Sequence, residues 1–418
     1  MSKTPMRILI LTQYYPPETG AAQNRLHDLA LRFHKQGVQV SVVTAMPNYP
    51  AMKVHPEYRR KCFARESPDG FPVYRSWIFI SKSRSVFLRL LNYFSFVFTS
   101  MMSGLFMAGR QDYILCESPP LFLGISAWVL KAFKRAKLIF NVSDLWPESA
   151  ERLGLVRSRF LLGISYKLEA FLYRRSFLVT GQTMGIVNNI KRRFPQADVF
   201  WFRNGIDPGA FHPEMEKTGW RKRLGLSESD FVLLYAGILG HAQGIEILLE
   251  AAGRLMGYRD IHFVILGSGP LKRDLVELKE KMGLQNVCFP EPVSKKEIPA
   301  VLRECDASVV PLKKLDLFRG AIPSKIFEVL AMEKPVILGV EGEAEKLFIR
   351  EGQAGLYYEP GNADALKDKI LELYSNPSLL RSLGKNGRTY VERYFDRQKI
   401  ADELLGHIMS KASEKPLI

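Results

Sequence analysis

Cysteine is scarce in this 418-residue chain, and the four present, Cys62, Cys116, Cys288 and Cys305, form no CxxC and meet no histidine pair at ligand spacing. That argues against structural zinc and suits a reducing cytosol. No Asp-x-Asp tripeptide occurs anywhere, so the sequence offers no paired carboxylates of that kind for a divalent cation. Gly-x-Gly-x-x-Gly is missing after the first predicted strand, which weakens a dinucleotide-binding reading. The opening residues, MSKTPMRILILTQYYPPETG, hold only a short apolar run. It is too short for a signal-peptide core, and nothing marks the chain for export. RNP, KH and helix-turn-helix patterns are absent, so nucleic acid is not an expected partner.

The composition that is present, 47% apolar and 24% charged, is that of a globular protein. The length suits two domains of about 200 residues, each with its own core. The net charge of +16 is unevenly divided: residues 1–212 hold 29 Lys and Arg against 13 Asp and Glu, and residues 213–418 hold 30 against 30. A basic half can serve a membrane surface or an acidic substrate.

Arg7 to Thr12 reads as a strand, Gln13 to Gly20 as a loop, Ala21 to Gln36 as an amphipathic helix stopped by Gly37, and Val38 to Val43 as a second strand. Strand, helix and strand with short loops make a parallel, right-handed βαβ unit, whose first loop lies at the carboxyl end of the sheet. Further strands are expected at Tyr113 to Cys116, Lys137 to Val142 and Phe177 to Thr180. Asp144, in Ser143-Asp144-Leu145-Trp146-Pro147-Glu148 after one of them, either caps the following helix or presents a carboxylate at the strand end. Residues 82–110 stand apart: Lys82, Arg84 and Arg89 lead into an uncharged, Phe-rich segment, Leu90 to Ala108, closed by Arg110. The Asn, Ser and Thr residues within it favour a core helix, ahead of a helix dipping into a bilayer interface and, last, a membrane span.

Asn204-Gly205 is a turn signal just before the charge balance changes, and it is the expected hinge between domains 1–207 and 208–385. The second half repeats the design. A strand at Phe231 to Tyr235 leads into a loop carrying Gly237, Gly240, Gln243 and Gly244, and another at Ile261 to Leu266 into Gly267-Ser268-Gly269. Glycines between strand and helix let backbone N–H groups approach a phosphate. The stretch RGAIPSKIFEVLAMEKPVI, residues 319–337, reads as loop, helix and strand, with Ser324 as N-cap. Lys325 and Arg319 add charge to that helix end, and Glu328 shares a side with Lys325, where it can accept from two adjacent hydroxyls. The pattern reads as a diphosphate holder beside a reader of sugar hydroxyls. The plainer alternative makes Ser324 a cap, Lys325 a solvated cation and Glu328 a surface acid. Residues 386–418 are expected to be helical.

The Pro323-Ser324-Lys325 stretch resembles the donor motif of retaining family-4 glycosyltransferases of the two-domain GT-B type, in the branch that builds bacterial O-antigen, colanic acid and capsule. PPETG, DLWPES and NGID extend the resemblance along nearly the whole chain. It implies an α/β fold of two Rossmann-like domains facing each other across a cleft, with the last helix crossing back to the first. It also implies that Glu18, Thr19 and Gly20 approach the donor, that Pro292 and Val293 line the nucleobase pocket, and that Asp144 is the acid nearest the reacting sugar. The sequence departs from the wider family in having Ile238 and Gln243 where Arg and Lys are usual. Of two glutamates separated by seven residues, the second matches Glu328 and Gly320 stands at the first. Lys325 and Arg319 are then the obvious cations for the diphosphate, with backbone N–H groups around Gly320, Ile322, Pro323 and Ser324.

The expected activity is transfer of a sugar, an N-acetylated hexosamine or a deoxyhexosamine, from a UDP-linked nucleotide-sugar to a lipid-linked saccharide acceptor, without cofactor or metal. Residues 82–110 and the basic first domain would hold the enzyme on an anionic membrane, peripherally on the cytoplasmic face. A sugar-nucleotide 2-epimerase shares the fold but should show more acids and histidines at the reacting centre. A non-enzymatic basic membrane-binding protein is disfavoured by the glycine and Pro-Ser-Lys loops in the neutral half.

Overall fold

The apolar runs Arg7–Leu11 and Gln39–Ala45 form strands β1 and β2, joined by helix α1 (Ala21–Lys35), whose Leu26, Leu29, Ala30 and Phe33 are buried as their spacing requires. The computed structural model describes residues 5–414 except 19, 50, 51, 84, 153, 155 and 157, so Thr19 and Arg84 lie outside the described residues. The chain divides into two units, Met1–Asn204 with Arg397–Ile418, and Gly205–Asp396.

The first unit continues through β3 (Phe63–Glu66), β4 (Val73–Ser76), α2 (Val86–Phe106), β5 (Tyr113–Ser118), α3 (Leu123–Lys134), β6 (Lys137–Val142), α4 (Glu148–Arg152), α5 (Arg159–Arg175), β7 (Leu178–Gly181), α6 (Met184–Arg193) and β8 (Val199–Trp201). Its sheet runs in the order β3-β4-β2-β1-β5-β6-β7-β8, with only β3 antiparallel to its neighbour. Strand order reverses direction at β1, so right-handed crossovers place α1 on one face and α2, α3, α5 and α6 on the other. Two core clusters follow, one around Ile8, Ile10 and Phe33, the other around Leu9, Leu11, Phe96 and Leu172.

Helix α2 corrects the expectation of a simple core helix. Phe96, Val97, Thr99, Ser100 and Ser103 are its buried side, with the hydroxyls of Ser100 and Ser126 3.1 Å apart between α2 and α3. Phe87, Leu91, Phe94, Phe98 and Phe106 are exposed. Thr99, Ser100 and Ser103, among the polar residues that made the segment look unlike a membrane helix, thus face the core, where Thr99 donates to the Trp77 carbonyl and Ser100 bonds the Val97 carbonyl and the Ser126 hydroxyl of α3. No helix among the described residues is long and apolar enough to cross a membrane.

The second unit contains α7 (Trp220–Arg223), β9 (Phe231–Ala236), α8 (Glu246–Arg254), β10 (Ile261–Leu266), α9 (Lys272–Met282), β11 (Val287–Cys288), α10 (Ile298–Arg303), β12 (Ala307–Pro311), α11 (Lys325–Ala331), β13 (Val336–Gly339), β14 (Gly355–Tyr357), α12 (Ala363–Tyr374) and α13 (Pro377–Tyr394). Its six strands are all parallel, in the order β11-β10-β9-β12-β13-β14. The chain passes between units at Asn204/Gly205 and again at Asp396/Arg397. Residues 386–418, expected as helices that at least partly pack on the first domain, divide at this second crossing, because α13 seats on the second unit. A Cβ on Gly384 would come within 2.1 Å of the Glu333 carbonyl oxygen, and the Phe395 ring lies 5.1 Å from that of Phe327. Only α14 (Arg397–Glu414) joins the first unit, where Ile400, Ala401, Leu404 and Ile408 are buried in the α1 layer.

Candidate functional site

In the second unit the carboxyl ends of β9, β10 and β12 bring together most of the residues that the sequence singles out. The loops after β9 and β10 run backbone against backbone: Gly237 N–H donates to the Leu266 carbonyl at 2.9 Å, and Leu239 N–H to that of Ser268 at 2.9 Å. A Cβ on Gly267 would lie 1.8 Å from the Gly237 oxygen, and Gly267 has φ +158, so no other residue fits there. Gly269 is pressed in the same way against Leu239. In the β9 loop, Gln243 N–H donates to the Gly240 carbonyl at 3.3 Å. At Gly244, with φ +61, the chain turns against the backbone of Lys313, whose N–H donates to the Ala242 carbonyl at 3.0 Å. Lys313, exposed in the loop after β12, was not singled out from the sequence. Its signal was a Lys-Lys pair at a strand's carboxyl end.

Lys325 opens α11, and its ammonium stands 3.7 Å from the centre of the Tyr235 ring, close enough to Gly237 that a Cβ there would be 2.7 Å from Nζ. The Tyr235 hydroxyl donates to the Ile238 carbonyl at 2.7 Å, which fixes the ring under the lysine. Burial lowers the Lys325 pKa from its ordinary value to about 7, with the nearby Glu328 carboxylate opposing the shift. At neutral pH this group is divided between cation and free amine. An anion arriving beside it would restore the proton, so the site responds to charge rather than merely presenting it.

The helix end contributes less than its sequence suggests. Ser324 precedes α11, but its side chain makes no capping bond, and the helix has only seven residues. Gly320, Ile322 and Pro323 form the approach to it after a short 3₁₀ turn, Asp316–Gly320. Arg319 is on that turn with its guanidinium exposed, 3.9 Å from the Asp316 carboxylate, and its carbonyl is packed on Gly342. Pro292 and Val293 follow β11 at the same end of the sheet, Pro292 exposed and Val293 half-buried.

The first unit assigns its sequence candidates differently. Glu18 is buried, and its carboxylate accepts from the N–H groups of Tyr15 at 3.3 Å, Asn48 at 2.7 Å and Tyr49 at 2.8 Å. Desolvation raises its pKa against those three bonds. It ties its loop to the residues that follow β2. Gly20 precedes α1 in extended backbone. Asp144 is exposed and accepts from the Ser149 hydroxyl at 2.5 Å. That differs from a helix cap, since α4 begins only at Glu148, and leaves the carboxylate exposed just after β6.

Sequence reasoning gave no role to the densest polar cluster of this unit. Arg25 donates to Glu117 and to the Ser143 hydroxyl, each at 2.8 Å, and Glu117 also accepts from Asn141 at 2.5 Å and from Ser143. Thr180 donates to Asn141 at 2.6 Å. Arg25 and Glu117 are each 4% exposed at the side chain, so this pair locks α1 to the ends of β5, β6 and β7. Among the described residues no group of three or more His, Cys, Asp or Glu could hold a metal ion.

Residues 20–205 match the glycosyl transferase 4-like domain, and residues 216–390 the glycosyl transferases group 1 domain. WcaI of Escherichia coli, named as a colanic acid biosynthesis glycosyl transferase, is 26% identical over 416 residues, 96% of this chain and all of that one. Among solved structures, the sucrose-phosphate synthase of Thermosynechococcus elongatus superposes with a TM-score of 0.75 at 17% identity, over 98% of this chain and all of that one. Anabaena HepE in complex with UDP-glucose gives 0.72 at 17% identity, over 97% of this chain and all of that one. Two parallel-sheet units of these shapes are the GT-B architecture. The chain carries a glycosyl transferase 4-like domain followed by a glycosyl transferases group 1 domain, and it is a glycosyltransferase.

Proposed function

We propose that the protein moves a sugar from a UDP-linked donor to a lipid-linked saccharide acceptor during synthesis of a bacterial surface polysaccharide, with retention of configuration and without a metal ion. The observation that carries this reading is the Lys325 ammonium, held over Tyr235 beside the glycines that end β9. A diphosphate set against those glycines would meet Lys325, with Lys313 nearby, and its growing charge as the sugar departs is what such a cation stabilises. The acceptor hydroxyl attacks the anomeric carbon from the face the diphosphate leaves. As the new C–O bond forms, the bond to phosphate breaks, and a phosphate oxygen takes the hydroxyl proton, so no protein nucleophile is needed. WcaI's name supports the polysaccharide setting, and the HepE complex supports UDP.

The exposed Phe87, Leu91, Phe94 and Phe98 of α2, with exposed Lys82 and Arg89 at its entry, support adherence of the first unit to the anionic cytoplasmic face of a membrane. The donor assignment is tested by a thermal-shift panel of UDP-, GDP-, ADP- and dTDP-sugars, in which the UDP-sugars raise the midpoint by mass action. A panel with no shift sinks it. For the membrane, the protein should pellet with anionic vesicles and be released largely near 1 M salt, where the screening length is about 3 Å. Phe87→Ser with Phe98→Ser should lower the bound fraction, and equal indifference to anionic and neutral vesicles would remove the membrane from the reading.

A further inference from the structure

The aromatic surface does not end with α2. Trp128 and Phe133 on α3 and Phe160, Ile164 and Phe171 on α5 are also exposed, and the rings of Trp128 and Phe171 meet at 5.4 Å, so the three neighbouring helices present one apolar layer. At the amino-terminal ends of β1, β5 and β6, away from the loops that end those strands, this layer borders a cavity of about 1000 Å³. Phe106 and Phe133, 79% and 75% exposed, stand at its wall, a position that costs an isolated protein apolar surface in water on both sides.

The cavity is basic. Arg110, Lys134, Arg135 and Lys137 line it, and the one acid among its lining residues, Asp112, is taken by Arg7, which donates to it from its backbone N–H at 2.9 Å and from Nη2 at 2.8 Å. Two of the four cations are fixed in place. Lys134 donates to the Gly109 carbonyl at 2.5 Å, and Lys137 stands 4.7 Å from the centre of the Phe177 ring. Arg110 and Arg135 are exposed. Gln111, 4% exposed, gives its amide N–H to the Ala108 carbonyl, while its Oε1 is buried with no hydrogen-bond partner among the described residues. An acceptor left over beside four cations fits a ligand that combines a negative group with a hydroxyl or ammonium donor.

We propose that this cavity binds the headgroup of an anionic glycerophospholipid. The phosphodiester lies against Arg110 and Arg135, a headgroup hydroxyl donates to Gln111 Oε1, and the acyl chains leave past Phe106 and Phe133 into the bilayer. This rests on the membrane reading given above and adds a specific lipid site to it. A polar headgroup, two chains and a flat aromatic layer share one surface only where a bilayer supplies all three, which favours a lipid over a free phosphate.

The test uses the full chain and dihexanoylphosphatidylglycerol kept below its micellar concentration, so that no bilayer takes part. Calorimetric titration should show saturable binding at one site per chain, with dihexanoylphosphatidylcholine much weaker and inorganic phosphate a poor competitor. Arg110→Glu with Arg135→Glu, both exposed and remote from the sugar-transfer loops, should weaken binding on the order of tenfold or more while leaving the thermal midpoint unchanged. Gln111→Met, of nearly the same shape, should reduce affinity by a smaller factor. Absence of saturable binding, equal binding of the choline lipid, full displacement by phosphate at equal concentration, or a charge-reversed variant that binds like the parent each overturns the proposal. If monomeric lipid does not bind but vesicles still retain the protein through α2, the cavity is rejected and the membrane reading stands. Loss of both rejects both.

Discussion

The two units end their sheets in opposite electrostatic ways. In the first, which holds 33 Lys and Arg against 15 Asp and Glu, the carboxylates at the carboxyl ends of the strands are bonded within the fold, Glu18 to three N–H groups and Glu117 to Arg25, Asn141 and Ser143, although Arg25 Nε and Nη1 are buried without a hydrogen-bond partner among the described residues. In the second, whose residues 205–396 hold 26 Lys and Arg against 28 Asp and Glu, the same location carries Lys325, Lys313 and Arg319, with glycines where side chains would block an approach. Net charge is spread over surfaces, whereas a site needs charge that other groups have not already satisfied. Part of the first unit's basic excess is exposed on its helical face and at its cavity, at Arg89, Arg110 and Arg135.

The contrast can be broken first at Arg25. Arg25→Met leaves Glu117 buried without its cation, and losing one partner of such a pair costs about 3 kcal/mol or more of stability. A drop of several degrees in the thermal midpoint is the expected result. A midpoint like the parent's would mean that Asn141 and Ser143 alone suffice for the carboxylate. Lys325→Ala should do the reverse, folding normally while turnover falls on the order of a hundredfold. Near-normal turnover would falsify the assignment of the diphosphate to this lysine.

The lysine also makes a pH signature. Its folded pKa of about 7 lies below the ordinary lysine value of 10.5, so the unfolded chain binds the extra proton in that window. Stability contributed here is present above the unfolded value, falls as the pH drops from there, and is fully lost by about pH 7. A bound diphosphate favours the cation, so nucleotide binding near pH 8 should take up a proton, and affinity should weaken as pH rises above 7. Titrations in buffers of different ionisation enthalpy read the proton directly, and Lys325→Ala should abolish it. The smallest effect is expected at Asp144. Exposed and bonded only to Ser149 among the described residues, it should tolerate Asp144→Asn with a loss of stability below about 1 kcal/mol. A turnover loss of a hundredfold in that folded variant would instead give the carboxylate a part in the reaction.

Much of the fold was legible because it rests on local signals. Four apolar residues from Ile8, a helix with Leu26, Leu29 and Phe33 in register, and Gly37 as its stop define a βαβ unit without reference to anything distant. The same signals recur at β9 and β10. The site was only partly legible, because its geometry depends on residues far apart in sequence. The bonding of Glu18 was not legible because Asn48 and Tyr49 are 30 and 31 residues away and donate from the backbone, which no side-chain pattern reveals. Lys325 meets Tyr235 only because Gly237 clears the space, so the lowered pKa could not be read from the motif. In α2, averaged hydropathy hid a helix whose hydroxyls face inward and whose phenylalanines face outward.

The return of α14 has a consequence for how the protein is made. Ile400, Ala401, Leu404 and Ile408 are synthesised after the whole of the second unit, yet they complete the layer that packs on α1, which precedes it. The first unit emerges from the ribosome early with one face of its sheet incompletely covered, and at the usual rate of about 5–20 residues per second it waits tens of seconds for its final helix. During that interval the second unit can finish folding, although it comes later in the sequence. Of the two units, the one begun first is completed second.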